Sequence, residues 1–215
     1  MMDERFWTGY FLVCLICYLI GSFPTAYLVG KKKGVNITKE GTGNVGARNT
    51  YDVTGSKVAG IVVLVIDVLK GTVPISILSY VFRFNIAEII FPSFFLILGH
   101  NFSIFLKFKG GRGLATSMGI AIIINFWLFI IWSLFFLIFY WIKQNEHIGN
   151  VGATILLPLG VIFLQPIIEP FTYRYAGNNS FEFLVSLSLI MSLLILIKHI
   201  DPIFKLIIEH KKFYE

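Results

Sequence analysis

A short stretch in the middle of the chain has the composition of an anion-binding loop. Seven consecutive positions hold three glycines and three cations: Lys107, Lys109, Gly110, Gly111, Arg112 and Gly113. Glycine adopts positive φ without steric cost, so such a loop can gather backbone N–H groups into one concavity, and the cations add positive charge. Phosphate is the anion that suits this arrangement. The alternative is an ordinary basic turn between two membrane spans, where glycines only make the turn.

A second group of donors lies in the longest polar stretch, where residues 41–49 read GTGNVGARN. The glycines are Gly41, Gly43 and Gly46, and the donors are Thr42, Asn44, Arg48 and Asn49. An arginine can bind phosphate through two parallel hydrogen bonds, and a hydroxyl with amides can hold a polyol. The alternative is a flexible loop of common turn residues.

Two histidines follow apolar runs, His100 after Gly99 and His199 just before Asp201. At a helix end an imidazole can donate to a phosphate or carbonyl oxygen. A lone histidine there can also be a simple cap or interfacial residue. His147 and His210 are expected to be peripheral.

Asp67 and Lys70 are charged residues inside an otherwise apolar run. Their spacing of three places them on one helical face, and charges inside a membrane are costly unless paired. We expect mutual neutralisation, a structural role rather than a catalytic one.

Several common catalytic designs have no counterpart in the sequence. It contains no zinc signature, no nucleophile elbow and no P-loop. An acyltransferase base of the type H-x-x-x-x-D is also missing, since Phe105 stands where the aspartate would follow His100. Cys14 and Cys17 lie within an apolar run, so packing is the expected role of both thiols.

The composition indicates an integral membrane protein. Hydrophobic residues make up 56% of the 215 positions and charged residues 14%, with a mean hydropathy of +0.79. The formal net charge of +6 comes from cations that cluster at the ends of apolar runs. Such cations orient spans and meet anionic headgroups or substrates.

The apolar runs predict an all-α polytopic protein of about seven transmembrane helices, forming one domain over residues 1–215. The expected spans are residues 6–29, 57–82, 86–98, two within 114–142, 151–168 and 181–197. Residues 114–142 suit either one long tilted helix or two short ones broken near Asn125. Two helices leave the basic tail on the same side as the other basic loops, which the positive-inside rule favours. The N-terminus is then outside, and Arg83 and Arg174 border outer turns.

Taken together, the motifs resemble one family: bacterial integral-membrane acyltransferases that move an acyl chain from acyl phosphate to the 1-hydroxyl of glycerol 3-phosphate. The similarity covers nearly the whole chain. It is carried by residues 41–49, by residues 99–116 and by residues 198–203, and also by YLIGSFPT at 18–25 and DVLKG at 67–71.

The resemblance implies an enzyme of phospholipid biosynthesis in the bacterial cell membrane, with its active site facing the cytoplasm and no metal or coenzyme A. The products are lysophosphatidic acid and phosphate, and the phosphate of the donor helps to take the proton from the attacking hydroxyl. The residues it implies as catalytic are Thr42, Arg112 and His199. Those implied to bind substrate are Gly41, Gly43, Asn44, Arg48, Asn49, His100, Lys109, Gly110, Gly111, Gly113, Thr116 and Asp201.

The chain departs from the family pattern at several positions. Thr42, Ser103 and Arg112 are chemically mild changes for serine, proline and lysine. Asp52 replaces a common arginine, and Pro202 replaces a common asparagine, so phosphate binding is expected to weaken unless Arg48 compensates. The serine-containing loop expected before the sixth span is altered too, to Gly-Asn-Val at residues 149–151.

The sequence leaves two other functions open. One is a catalytically weakened paralogue that binds acyl phosphate or anionic lipid as a regulator. The other is a small-anion transporter whose basic loops form a vestibule, although broken half-helices of the transporter type are not evident beyond Pro24 and Pro74.

Overall fold

The fold is helical throughout the residues that the structure describes. The computed structural model describes residues 4–173 and 180–212, so Arg174 lies outside the described residues, as does the side chain of His210. The helices are α1 (Glu4–Ser22), α2 (Thr25–Lys32), α3 (Ala47–Thr54), α4 (Lys57–Ser76), α5 (Ile86–Asn101), α6 (Leu114–Ile124), α7 (Trp127–Lys143), α8 (Glu146–Phe163), α9 (Gln165–Ile168), α10 (Ser180–Ile197) and α11 (Ile200–Lys212). A π-helical turn (Ile77–Val81) extends α4, and short 3₁₀ turns lie at Ile104–Leu106 and Glu169–Phe171.

Four helical segments in the described ranges are long and apolar enough to cross a membrane. They are Phe6–Lys32, Lys57–Val81, Glu146–Phe163 and Ser180–Ile197. Three shorter apolar helices, α5, α6 and α7, occupy the other positions where spans are expected. The integral-membrane class is therefore confirmed, and the count of seven spans stays a prediction.

The long apolar run at residues 114–142 is broken at Asn125, as the two-helix alternative expects. The Asn125 side chain donates to the carbonyl of Ile168 (2.9 Å) and to Oγ1 of Thr172 (2.8 Å), and its Oδ1 accepts from the N–H of Trp127 (2.9 Å). A buried amide with these partners costs little to bury and fixes the chain direction. Through these hydrogen bonds, the turn between α6 and α7 contacts the segment that follows α8.

The first span is interrupted where the sequence places proline. Helix α1 ends at Ser22, and α2 begins directly after Pro24, which has no N–H to continue the helix. Cys14 and Cys17 are free and buried, at 4% and 3% exposure, so the expected packing role is confirmed.

Glycines allow two helix pairs to pack backbone against backbone. On the α1–α5 pair, a Cβ at Gly21 would collide with the carbonyl of Leu96, and one at Gly99 with the carbonyl of Tyr18. On the α4–α6 pair, Gly119 is similarly close to the backbone of α4. Small residues at such crossings are typical of helices that pack inside membranes. These crossings bring the ends of α1 and α5 and the start of α6 to the middle of α4, around Asp67 and Lys70.

Helix α8 begins earlier than expected. The prediction of a loop at residues 149–151 is therefore wrong, because these residues are helical. Oδ1 of Asn145 accepts from the N–H groups of His147 (2.9 Å) and Ile148 (3.2 Å). This side-chain cap starts the helix at Glu146. As a result, His147 lies in the first turn of α8 and Asn150 lies within it.

Candidate active site

An open pocket of about 520 Å³ is formed where the three expected motifs meet. Seven of the expected site residues line it: Thr42, Gly43, Asn44, Lys109, Gly110, Arg112 and Asp201. These residues come from stretches that are far apart in the sequence. The tertiary structure thus gathers the glycine loops and the start of α11 at one face of the helix bundle.

The first wall of the pocket is the loop at residues 41–46, which Asn49 holds from behind. Oδ1 of Asn49 accepts from the N–H of Thr42 (2.8 Å), while its Nδ2 donates to the carbonyls of Ile37 (3.1 Å) and Glu40 (3.2 Å). Asn49 is 2% exposed and lies outside the pocket lining. Its position makes it a scaffold for the loop that carries Thr42.

Backbone conformation explains why glycine stands on either side of Thr42. Gly41 and Gly43 have φ of +61° and +70°, in the left-handed region that side chains disfavour. A Cβ at Gly41 would also collide with Oδ1 of Asn49. The two turns leave Thr42 exposed at the pocket wall, where its Oγ1 accepts from the N–H of Asn44 (3.3 Å).

The second wall is the loop that joins α5 to α6, and it is folded tightly onto the end of α5. The N–H of Gly111 donates to the carbonyl of His100 (3.0 Å), and Oγ of Ser103 donates to the carbonyl of Ser22 (2.5 Å). A Cβ at Gly110 or Gly111 would collide with backbone or ring atoms of His100. Gly113, with φ of +83°, then starts α6. The loop therefore presents Arg112 from a fixed backbone.

Arg112 is a half-buried cation without a close counter-charge. Within the described part of the chain, no carboxylate lies within ion-pair distance of its guanidinium. Burial lowers the pKa of Arg112 below its ordinary value, and the charge of Glu146 opposes part of that shift. A guanidinium in this position is stabilised by any anion that enters the pocket.

Two lysines add to the positive charge of the wall, and neither is among the expected site residues. Lys198 lies over the ring of Phe102, with Nζ at 4.9 Å from the ring centroid, and burial lowers the pKa of Lys198. Lys205 lies on α11, four residues after Asp201. That spacing places both on one helical face, which is the sequence signal that could have identified Lys205.

Arg48 is held outside the pocket lining by two carboxylates. Its Nε donates to Oδ1 and Oδ2 of Asp52 (3.1 and 3.0 Å), and its Nη1 donates to Oε2 of Glu146 (3.3 Å). The hydrogen bond to Asp52 and the charge of Glu146 raise the pKa of Arg48. The unusual Asp52 therefore faces Arg48 and is not part of the pocket lining.

His199 lies behind the pocket wall rather than on it. It is 1% exposed, and its Nδ1 is 2.9 Å from the carbonyl of Ile195. Because a carbonyl only accepts, Nδ1 carries the proton and Nε2 is an acceptor without a partner in the described residues. Burial lowers the pKa of His199 to about 4, so the ring is neutral near pH 7.

The expectation that His147 is peripheral is wrong. Its ring lines the pocket and lies 6.2 Å from the ring of His199, centroid to centroid. The first turn of α8 brings it there. An asparagine two residues before His147 is a typical helix cap, and this is the sequence signal that could have predicted the early helix start.

A buried ion pair lies beneath the second loop. Nζ of Lys70 is 2.7 Å from Oδ1 of Asp67 and 2.6 Å from the carbonyl of Phe23, which confirms the expected neutralisation. Nδ1 of His100 is 3.9 Å from the same carboxylate oxygen. Thr116 donates to the backbone carbonyl of Asp67 (3.2 Å) and is fully buried. His100 and Thr116 therefore support the loop from below and are not in the pocket lining.

Gly41, Gly111 and Gly113 also shape the loops without lining the pocket. Within the described ranges, no group of three or more His, Cys, Asp or Glu side chains could hold a metal ion.

An apolar cavity of about 150 Å³ lies beside the polar pocket. Leu114 and Ala115, which follow Arg112 closely, form part of its wall, as do Trp132 and Ile195. The indole Nε1–H of Trp132 donates to Oγ1 of Thr154 (3.0 Å), which fixes that ring at the cavity wall.

The sequence matches a family described as glycerol-3-phosphate acyltransferase over residues 11–209. The chain is 36% identical over 186 residues to a glycerol-3-phosphate acyltransferase of Fusobacterium nucleatum, covering 80% of this chain and 93% of that protein. It is 40% identical over 159 residues to glycerol-3-phosphate acyltransferase 2 of Moorella thermoacetica, covering 72% and 78% of the two chains.

Two crystal structures of PlsY (YgiH), an integral membrane glycerol 3-phosphate acyltransferase, have a similar fold. The glycerol 3-phosphate form has a TM-score of 0.73 at 25% identity, and the lysophosphatidic acid form has a TM-score of 0.75 at 26% identity. Each comparison covers 94% of this chain and 93% of the other.

Proposed function

The chain belongs to the glycerol-3-phosphate acyltransferase family, and from that premise we propose that it transfers an acyl chain from acyl phosphate to the 1-hydroxyl of glycerol 3-phosphate. The products are lysophosphatidic acid and inorganic phosphate, and the reaction supplies phospholipid biosynthesis. Glycerol 3-phosphate is the acceptor in the names of its relatives. Those names do not specify the donor, so acyl phosphate as the donor is our proposal.

The observation that carries the proposal is the charge of the pocket wall. Among the residues that the structure describes, four cations line the pocket against one aspartate: Lys109, Arg112, Lys198, Lys205 and Asp201. Both proposed reactants carry a phosphate, and preorganised cations stabilise phosphate oxygens more strongly in a partly buried site than in water. A pocket of about 520 Å³ has room for the polar parts of both.

The chemistry requires positioning more than a strong base. The oxygen of the 1-hydroxyl attacks the acyl carbon and forms the ester C–O bond. The bond between the acyl carbon and the bridging oxygen breaks, so phosphate leaves with that oxygen. The departing phosphate takes the hydroxyl proton, so atoms and charges balance without a protein base. Arg112 and Lys198 stabilise the charge that develops on the leaving phosphate, while Thr42 and Asn44 hold the acceptor.

The apolar cavity supports a donor with a long acyl chain. It adjoins Arg112 through Leu114 and Ala115, so a phosphate bound at Arg112 places its acyl chain toward an apolar space. Burial of that chain contributes about 0.8 kcal/mol per methylene. Trp132, at the cavity wall, then contacts the acyl chain rather than the phosphate.

The enzyme acts in the bacterial cell membrane with the pocket facing the cytoplasm. The distribution of lysines and arginines supports this orientation, because the loops that build the pocket are the basic ones. Lys32→Cys, in a chain with Cys14→Ala and Cys17→Ala, tests it with a thiol reagent that does not cross membranes. We expect labelling only after the cells are opened, and labelling of intact cells would reverse the orientation.

Purified protein in lipid nanodiscs tests the reaction directly. We expect acyl phosphate and glycerol 3-phosphate to give equal amounts of lysophosphatidic acid and inorganic phosphate, and acyl-CoA to give neither. Loss of turnover in Arg112→Ala identifies this pocket as the site. Ligand-dependent thermal stabilisation without any turnover would instead indicate a binding protein and would overturn the proposal.

A further inference from the structure

Helix α11 has two faces with different surroundings. Asp201, Pro202 and Lys205 lie on the face that lines the pocket. On the other face lie four exposed apolar side chains, with Phe204 62% exposed: Ile200, Phe204, Ile207 and Ile208. Their spacing of three and four places them on one side of the helix. An apolar face this wide on a surface helix needs an occupant.

The exposed face of α11 continues an exposed stripe of α10. Leu189, Leu193 and Ile197 are large, apolar and exposed on α10, spaced by four residues. Ile200 and Phe204 prolong that series after the short turn between the helices. Since α10 is a candidate membrane span, Leu189 and Leu193 face lipid. Ile197, at the end of the stripe, also borders the pocket, so the series passes from the lipid-facing side of α10 to the pocket rim and on to α11.

The loop that forms the second wall of the pocket also carries exposed apolar side chains outside the pocket lining. In the second loop, Phe105 is exposed and lines an apolar recess with Leu19, Ile20 and Phe23 of the first span. Lys107, two positions further on, is exposed beside it. An apolar ring next to a lysine is the arrangement that anchors a segment at the boundary between headgroups and acyl chains.

We propose that α11 and the loop around Phe105, each of which forms part of the pocket wall, are two membrane-interface anchors that hold these walls against the bilayer surface. The occupant of the apolar face of α11 is lipid, with Phe204 inserted below the headgroups and Lys205 facing water in the pocket. The anchor fixes the wall that carries Asp201 and Lys205, so the lipid surface becomes part of the site's support. The depth of the two anchors in the bilayer does not depend on the acyl donor, whereas their effect on the site rests on the proposed function.

Spin labels on adjacent residues of α11 test the proposal without any activity measurement. Phe204→Cys and Lys205→Cys, each in a chain with Cys14→Ala and Cys17→Ala, are labelled with a nitroxide in lipid nanodiscs. We expect the label at 204 to collide mainly with oxygen, which concentrates in lipid, and the label at 205 with a water-soluble nickel chelate. Equal exposure of both labels to the nickel chelate overturns the proposal. Shielding of 204 from both reagents, with dipolar broadening, indicates a second copy of the chain and also overturns it.

A second measurement tests the effect on the site. Phe204→Ser is expected to raise the KM for acyl phosphate several-fold with a smaller change in kcat. The reason is that the α11 wall becomes more mobile, while Arg112 and the other groups around the reacting atoms keep their positions. Phe82→Ser is the matched control, since Phe82 is 64% exposed and directly follows the π-helical turn at the far end of α4. Equal effects of the two substitutions would contradict the anchoring role, whatever the label at 204 reports about depth.

Discussion

Arg48, in the first turn of α3, and Arg112, in the loop before α6, both come shortly after glycines in a basic stretch, yet their surroundings differ. Arg48 is largely exposed and holds Asp52 and Glu146 at 3.0 and 3.3 Å. Arg112 is half-buried, lines the pocket and has no carboxylate within ion-pair distance in the described ranges. The difference indicates that the capacity to bind phosphate depends on the partners of an arginine rather than on its motif. A cation whose charge is already neutralised gains less from an incoming anion.

Among substitutions that test this difference between the two arginines, removal of Arg112 is expected to have the largest effect. Arg112→Ala is expected to lower kcat/KM by about 10³-fold, because a preorganised cation is lost from the leaving phosphate. Arg112→Lys should recover part of that loss, since a lysine keeps the charge but not the paired hydrogen bonds. Steady-state phosphate release measures both, with Arg48→Ala as the control. Equal losses in Arg112→Ala and Arg48→Ala would refute the distinction.

Lys70 extends the comparison, because it is more deeply buried than Arg112 and is paired like Arg48. Asp67→Ala leaves an unpaired lysine among buried groups and is expected to destabilise the fold by about 3 kcal/mol. The double variant Asp67→Ala with Lys70→Met should regain much of the lost stability. Thermal unfolding in detergent measures both variants. An unchanged melting temperature in Asp67→Ala would show that the pair is not needed for the fold.

His199 tests how far burial beside Arg112 controls a titrating group. Its pKa is lowered from 6.5 to about 4, so the unfolded chain binds more protons than the folded chain between these values. Stability must therefore fall as the pH falls through this window, by about 1.5 kcal/mol between about pH 6.5 and pH 5. His199→Gln should remove that part of the pH dependence of unfolding. The same slope in variant and parent would mean that other groups cause it.

The smallest effect is expected at Arg48. Arg48→Ala removes exposed ion pairs, which contribute about 0–1 kcal/mol, and should change kcat/KM by less than about threefold. Raising the salt concentration screens the cations of the pocket wall in parent and variant alike, so the ratio of their kcat/KM values should stay nearly unchanged. Michaelis kinetics at low and high salt check this. A loss approaching that of Arg112→Ala would assign Arg48 a direct role with substrate.

The sequence predicted the glycine turns of the loops and one buried ion pair because the local signals for these features are strong. Positive φ at Gly41, Gly43 and Gly113 fits the glycines expected to shape the loops. The Asp67–Lys70 pair followed from helical spacing and the cost of charge in a membrane. Both predictions depend on neighbours within a few residues, so no knowledge of the tertiary fold was required.

For other features a local signal exists but does not by itself place the residue in the pocket. His147 reaches the pocket because Asn145 caps α8 early, and Lys198 and Lys205 line it because the end of α10 and the start of α11 lie beside the loops. Asn49, expected to bind substrate, directs its side-chain hydrogen bonds to the loop it supports, and its role with substrate stays a prediction. These outcomes depend on side chains meeting across the fold.

The sequence by itself determined the membrane class, the helical spacing of Asp67 and Lys70, the glycine loops and the family. Hydrophobicity, steric freedom and motif spacing are local properties of the chain. Only the tertiary structure decided which cations face the pocket. Arg48 and Glu146 are 98 positions apart, and their contact exists because α3 and α8 begin at the same face of the bundle. Electrostatic energy depends on distances in space, so the neutralisation of Arg48 and the exposure of Arg112 to an incoming anion are properties of the folded chain.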